Sequence, residues 1–289
     1  MRTLTMTSPL ERSVVANDLS HHVLVWNDAG ARTLVCCHGF LDLAWSFAPF
    51  AERLAAAGVR VVAFDWRGHG ETEHVGAGGY YHFHDYVLDL HRLMPSLAPA
   101  GPVHLLGHSM GGTACALYAA THPGALARLT LVEALGPPSY EGVPADKLCA
   151  WLTSMDRHAR GAPRPIADLD EAVARLRAQN GDLSEAFARV LAEKATKAEG
   201  GALAWRFDPL HRTTSPGVFT SQGFLPFLAR VAVPVLVVSG SRGFRTADHA
   251  ARLAALRDAR EVVLEGVGHM IHHGAPEPLA THVLAHLAG

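Results

Sequence analysis

Charge of either sign is scarce in this chain: charged residues make up 18% of its 289 positions, and the formal net charge is −2. So even a balance gives no reason to expect nucleic acid or an anionic membrane as partner. Cysteine is scarce too. Cys36, Cys37, Cys115 and Cys149 follow neither a zinc-binding spacing nor a secreted disulfide framework, so the expectation is buried, reduced thiols. No run of about 18 apolar residues occurs, and no membrane span is expected. Met1-Arg2-Thr3-Leu4 opens no apolar stretch of signal-peptide type, so the expected location is the cytoplasm. Internal repeats and low-complexity tracts are lacking as well. What is present is apolar: hydrophobic residues reach 49%, enough for one large globular domain or one domain with an inserted lid.

Short apolar runs alternate with helical patterns. The runs are Arg32–Cys37, Val59–Phe64, Val103–Leu106, Leu129–Val132, Val233–Ser239 and Glu261–Leu264. They lack strict two-residue alternation, as strands buried on both faces do. Strand-helix alternation of this kind predicts an α/β fold with a doubly wound, mostly parallel sheet, whose ligands bind at the carboxyl ends of the strands. Between residues 137 and 224 the alternation stops. Pro137-Pro138 marks the entry, Asp182-Leu183-Ser184-Glu185 reads as a capping box opening a helix to about Lys197, and Gly200-Gly201 reads as a break. No strand is expected there. The segment is predicted to be a helical cap inserted into a core formed by 1–136 and 225–289.

The strongest chemical signal is Gly107-His108-Ser109-Met110-Gly111, a G-x-S-x-G directly after an apolar strand and directly before a helical pattern over Thr113–Ala120. A serine on a tight strand-to-helix turn needs small neighbours, because side chains at 107 and 111 would meet backbone. The following helix presents its positive dipole end, and the Met110 N–H is a candidate oxyanion donor.

These residues resemble the α/β-hydrolase superfamily, and specifically its serine-hydrolase-like subgroup. Cys37-His38-Gly39-Phe40 is similar to the family's His-Gly oxyanion loop, which implies the Phe40 N–H as second donor. Leu41-Asp42 and Trp45-Ser46-Phe47 continue in the same manner. Asp65-Trp66-Arg67-Gly68-His69-Gly70 resembles a structural turn of the family, so His69 receives no catalytic part. Gly268-His269, after the strand at Glu261–Leu264, resembles the terminal loop that carries the catalytic histidine; His272 and His273 compete for that role.

In most relatives the acid follows the strand that here ends Val237-Val238-Ser239-Gly240. The next residues are Ser241-Arg242-Gly243, without a carboxylate. Glu133, at the end of Leu131-Val132-Glu133, is the preferred substitute, since some members of the superfamily carry their acid there. Asp248 is the alternative, and a weakened or absent acid stays open. Asp248 also suits a helix N-terminus, and Glu133 a structural role on loop amides.

Other histidines have plainer readings. His82-x-His84 lacks any companion for a zinc site and reads as a helix start, His108 as a packing or hydrogen-bonding residue, and His21-His22 as a strand edge. Trp151, Met155, Phe187, Trp205 and Phe207 are candidate cap contacts, and Arg206 and Asp208 candidate ion-pair formers. The resemblance implies a hydrolase of carboxylic esters of small to medium apolar molecules through an acyl-enzyme. Alternatives are another scissile bond (lactone, amide or carbon–carbon) and a ligand-binding receptor. Epoxide and haloalkane chemistry is disfavoured, because Ser109 stands where those enzymes carry Asp. No cofactor and no metal is implied, the partner is a small-molecule substrate, and the oligomeric state is left open.

Overall fold

The structure is a computed structural model that describes residues 8–99, 103–161 and 164–289. An antiparallel hairpin opens it: β1 (Leu10–Ala16) and β2 (Leu19–Trp26), turned by Asn17 and Asp18, which both take φ above zero. A primed two-residue turn requires that backbone, and Asn and Asp tolerate it. Then follow β3 (Arg32–Cys37), α1 (Ala48–Ala56), β4 (Val59–Phe64), α2 (Phe83–Leu97), β5 (Val103–His108), α3 (Met110–Thr121) and β6 (Leu126–Val132). The insert holds α4 (Pro144–Arg160), α5 (Leu169–Gln179), α6 (Glu185–Ala195) and the hairpin β7 (Thr196–Glu199) and β8 (Ala202–Trp205), and α7 (Ser221–Leu228) crosses from its end into the core. The chain closes with β9 (Val235–Gly240), α8 (His249–Ala255), β10 (Ala259–Leu264), α9 (Ile271–Gly274) and α10 (Pro276–Ala288).

Eight strands form one sheet in the order β1-β2-β4-β3-β5-β6-β9-β10. β2 runs antiparallel to both neighbours and the other pairs are parallel, as the apolar runs predict. The missing alternation has a direct cause. Leu34 and Cys36 enter one core cluster with α1, α6 and α10, while Val35 and Cys37 enter a second cluster with α2, α3 and α7. Each face of β3 is therefore covered. Leu34 and Leu105 are fully buried, and truncating either to Ala costs about 2–5 kcal/mol in cores of this kind.

Four expectations need correction. The insert contains a strand pair, because Gly200 and Gly201, both at positive φ, turn a hairpin rather than break a helix. The preceding helix stops at Ala195, where Thr196 bonds its hydroxyl to the Ala192 carbonyl and the chain becomes extended. Its N-cap is Ser184, whose side chain accepts from the Phe187 N–H, and not Asp182. Cys36, Cys37 and Cys115 are buried, and burial pushes the Cys36 and Cys37 thiols up, but Cys149 is exposed. Among the described residues no helix is long and apolar enough to cross a membrane.

Candidate active site

β5 delivers Ser109 to the carboxyl edge of the sheet. The residue takes φ 50° and ψ −117°, and α3 starts at the next position. Its N–H donates to the Val132 carbonyl at 3.0 Å, which pins the turn to β6. The expected crowding is present: a Cβ on Gly107 would lie 2.3 Å from the Gly112 Cα, and one on Gly111 would lie 2.4 Å from the carbonyl oxygens of Cys37 and His38. Met110 is the first residue of α3, so its N–H has no acceptor inside the helix.

The loop after β3 lies against this turn. A Cβ on Gly39 would sit 3.4 Å from the Ser109 Cβ. Two buried histidines shape the loop. The N–H of Trp66 donates to His38 Nε2 (3.1 Å), and His38 Nδ1 donates to the Gly39 carbonyl (2.7 Å). The N–H of Leu41, at φ 57°, donates to His69 Nε2 (3.2 Å), and His69 Nδ1 donates to the Arg67 carbonyl (3.0 Å). Each ring uses one nitrogen as acceptor and one as donor, which is the neutral imidazole. Burial holds His38 below the usual histidine range and His69 well below it. His69 is thus a scaffold for the Phe40 backbone, a part the sequence did not disclose.

Glu133 directly follows β6 at φ 52°, and its carboxylate is fully buried. Oε1 accepts from the Gly240 N–H (2.7 Å). Oε2 accepts from the Phe244 N–H (2.7 Å) and faces His269 Nδ1 at 3.0 Å. The loop without a carboxylate therefore supplies amides to Glu133. Asp248 lies elsewhere: it stands directly before α8 and accepts from Arg252 Nε (2.8 Å) and from the Ser221 hydroxyl. The His269 ring packs 4.8 Å from that of His108, whose Nε2 donates to the His269 carbonyl (3.0 Å).

Asp182, in the insert, reaches the same loop. It accepts from Arg242 Nη2 (2.7 and 2.9 Å) and from the Gly268 N–H (3.1 Å), while Arg242 Nε donates to the Gly266 carbonyl (2.9 Å). The two histidines that follow point inward. His272 Nε2 lies 3.2 Å from Asp42 Oδ2, and His273 is buried and pushed down to about 3 by that burial and by His272. Asp42, His108 and His272 bring potential metal-ligating atoms within 4.8 Å of one another, as do Glu11, His22 and Glu71. His82 caps α2 in a reciprocal pair with Asp85. Arg206 and Asp208 do not pair with each other. Arg206 faces Glu71 at 3.6 Å, and Asp208 accepts from the Tyr81 hydroxyl at 2.7 Å.

Phe40, 51% exposed, divides two cavities. One, of about 390 Å³, is lined by Ser109 and Met110 and walled by Tyr80, Phe83, Tyr86 and Trp151. The other, of about 290 Å³, is lined by His269, Leu183, Trp205, Phe207 and Arg212. Of the candidate cap contacts, Trp151, Trp205 and Phe207 thus reach a cavity, whereas Phe187 is core.

The family model described as alpha/beta hydrolase fold matches residues 32–276. A serine hydrolase-like protein of Danio rerio is 25% identical over 89% of this chain and 82% of its own length. A probable serine hydrolase of Drosophila melanogaster is 26% identical over 91% and 82%. Among solved structures, a thioesterase domain from the curacin biosynthetic pathway superposes with a TM-score of 0.87 at 27% identity, covering 96% of this chain and 100% of that one.

Proposed function

Because the chain belongs to the alpha/beta hydrolase fold family, with serine hydrolase-like relatives, we propose that it is a serine-dependent hydrolase of carboxylic esters that works through an acyl-enzyme. The observation that carries this reading is the backbone of Ser109, held in a strained left-handed turn at the mouth of an aromatic cavity. Strain of that kind persists only where packing enforces it, and here it lifts a nucleophile off the strand end.

In this reading His269 takes the Ser109 proton as the hydroxyl attacks the acyl carbon. Glu133 holds the ring through Nδ1 and offsets the charge it gains. The N–H groups of Phe40 and Met110 receive the oxyanion. His269 then protonates the leaving group, and water, activated by the same ring, releases the acid. No cofactor enters any step. Residues 137–224 serve as the cap over the two cavities. The aromatic wall and modest volume beside Ser109 suit small to medium apolar acyl groups.

The test is turnover of p-nitrophenyl esters from acetate to laurate by the wild type and by Ser109→Ala. Activity favouring short and medium chains and lost in the variant is expected. Activity that survives Ser109→Ala overturns the assignment.

A further inference from the structure

A third cavity, of about 600 Å³, opens in the insert beside the site. Its lining is cationic. Arg157, Arg164, Arg175, Lys197 and Arg212 face it, with Glu199 the one acid in the lining among the described residues. Some of this charge is locally balanced: Glu171 pairs with Arg175 (2.6 Å) and Arg164 (3.5 Å), and Lys197 with Glu199 (3.4 Å). Arg157 and Arg212 have no carboxylate partner among the described residues. The guanidinium of Arg212 stands over the Phe207 ring at 5.1 Å. In a chain of net charge −2 such a concentration of cations is local, and a cleft focuses its field.

The cavity is connected to the chemistry. It shares Trp205, Phe207 and Arg212 with the cavity lined by His269, and Thr213 with the cavity lined by Ser109. His269 is the group that must protonate whatever departs, so the departing portion lies on its side of Phe40. From there the wall of stacked Trp205 and Phe207, 13° from parallel, leads to the arginines. We infer that this cavity binds a phosphate group on the leaving portion of the substrate, so that the preferred substrates are esters or thioesters of a phosphorylated alcohol or thiol. Guanidinium groups hold phosphate oxygens through paired, charge-assisted hydrogen bonds. The inference rests on the serine-hydrolase reading. For a thioester, a bond forms from Ser109 Oγ to the acyl carbon as the carbon–sulfur bond breaks. The Ser109 proton passes through His269 to the departing sulfur, and water then returns the free acid and the hydroxyl.

The experiment compares butyryl-coenzyme A with butyryl-pantetheine, which share acyl group and scissile bond; coenzyme A adds the phosphates together with an adenosine. The expected kcat/KM is at least about tenfold higher for the phosphorylated substrate, through KM, with the advantage shrinking at high salt. In Arg157→Glu/Lys197→Glu the ratio of the two rates, taken within that variant, falls to near one. Butyryl-4′-phosphopantetheine identifies the phosphate: a full advantage points to the pantetheine phosphate, and none, with the coenzyme A advantage lost in the double variant, to those of the nucleotide. Equal rates on coenzyme A and pantetheine thioesters in the wild type, or a ratio that survives the double variant, overturn the inference. So does turnover of p-nitrophenyl butyrate with both thioesters inert, which leaves the Ser109 reading standing. If the p-nitrophenyl ester is inert too, that reading fails. Calorimetry with adenosine 3′,5′-bisphosphate then decides the cavity alone: binding lost in the double variant supports a phosphate site, and no binding refutes it.

Discussion

Glu133 and His269 are 136 positions apart in the sequence and 3.0 Å apart in the fold. The loop between β9 and α8, where relatives carry the acid, closes over Glu133. A Cβ on Gly243 would fall 2.3 Å from Glu133 Oε1. A carboxylate at 243 and one at 133 therefore compete for the same space, and this chain holds the second.

Glu133→Gln keeps the side chain's length but offers one acceptor where the carboxylate offers two, and it no longer stabilises a charged His269. The expected outcome is a loss of about 10²–10⁴-fold in kcat on p-nitrophenyl butyrate with KM little changed. Asp248→Asn, which alters the bonds to Ser221 and Arg252, should leave kcat within about twofold and lower the melting temperature slightly. A reversed pattern would transfer the acid's role to Asp248.

Gly111→Ala tests the packing of the elbow. Its methyl group would have to displace the backbone carbonyls of Cys37 and His38. Backbone cannot rotate away as a side chain does, so a loss of about 3 kcal/mol in chemical denaturation is expected. Gly181→Ala, whose Cβ would meet nothing within 4 Å, is the neutral control.

His69→Phe removes the acceptor of the Leu41 N–H while keeping a ring in place. The orphaned donor costs about 1–3 kcal/mol, and the Phe40 amide loses its fixed direction. We expect kcat to fall about tenfold with KM little affected, since an oxyanion donor acts on the transition state. A change confined to KM would show that the loop shapes binding only.

Acid should unfold the protein through its buried histidines. Burial pushes His211 and His104 down to about 4 and His273 down to about 3. The unfolded chain binds a proton at each below about pH 6.5, whereas the folded chain does not until near its own depressed value, so stability falls as pH falls through that window. The Asp42 carboxyl, held low by its hydrogen bond to His272, adds its own loss only below about pH 4. Melting temperatures read from pH 7.5 down to 4.5 should decline steadily from about 6.5. A flat profile to 4.5 would contradict the burial of these rings as neutral groups.

The sequence disclosed what repeats a physical rule. The β3 and β4 boundaries are those of Arg32–Cys37 and Val59–Phe64, because both faces of these strands are covered and the last four positions of each are buried and apolar. The first hairpin was harder to read. β1 is mostly exposed and carries Glu11, Arg12 and Ser13, and β2 buries His21 and His22, with His22 bonded to Asp65 and Thr72. The β7–β8 pair is too short for periodicity to show, and its Gly200-Gly201 turn imitates a helix break. Of the candidate site, Ser109 is marked by its G-x-S-x-G turn at a strand end, whereas Glu133 and His269 are legible only through the resemblance to the α/β-hydrolase superfamily. The acceptor role of His69, the amides of Gly240 and Phe244, and the Asp182–Arg242 pair depend on contacts between distant segments, which no local pattern encodes.

Asp182 belongs to the insert, yet it grips the residue directly before His269. Any outward swing of the α5–α6 side must first release the Gly268 N–H and the Arg242 fork. The side chain of one insert residue thus fastens two successive pieces of the core, the turn after β9 and the turn before His269, to the same anchor.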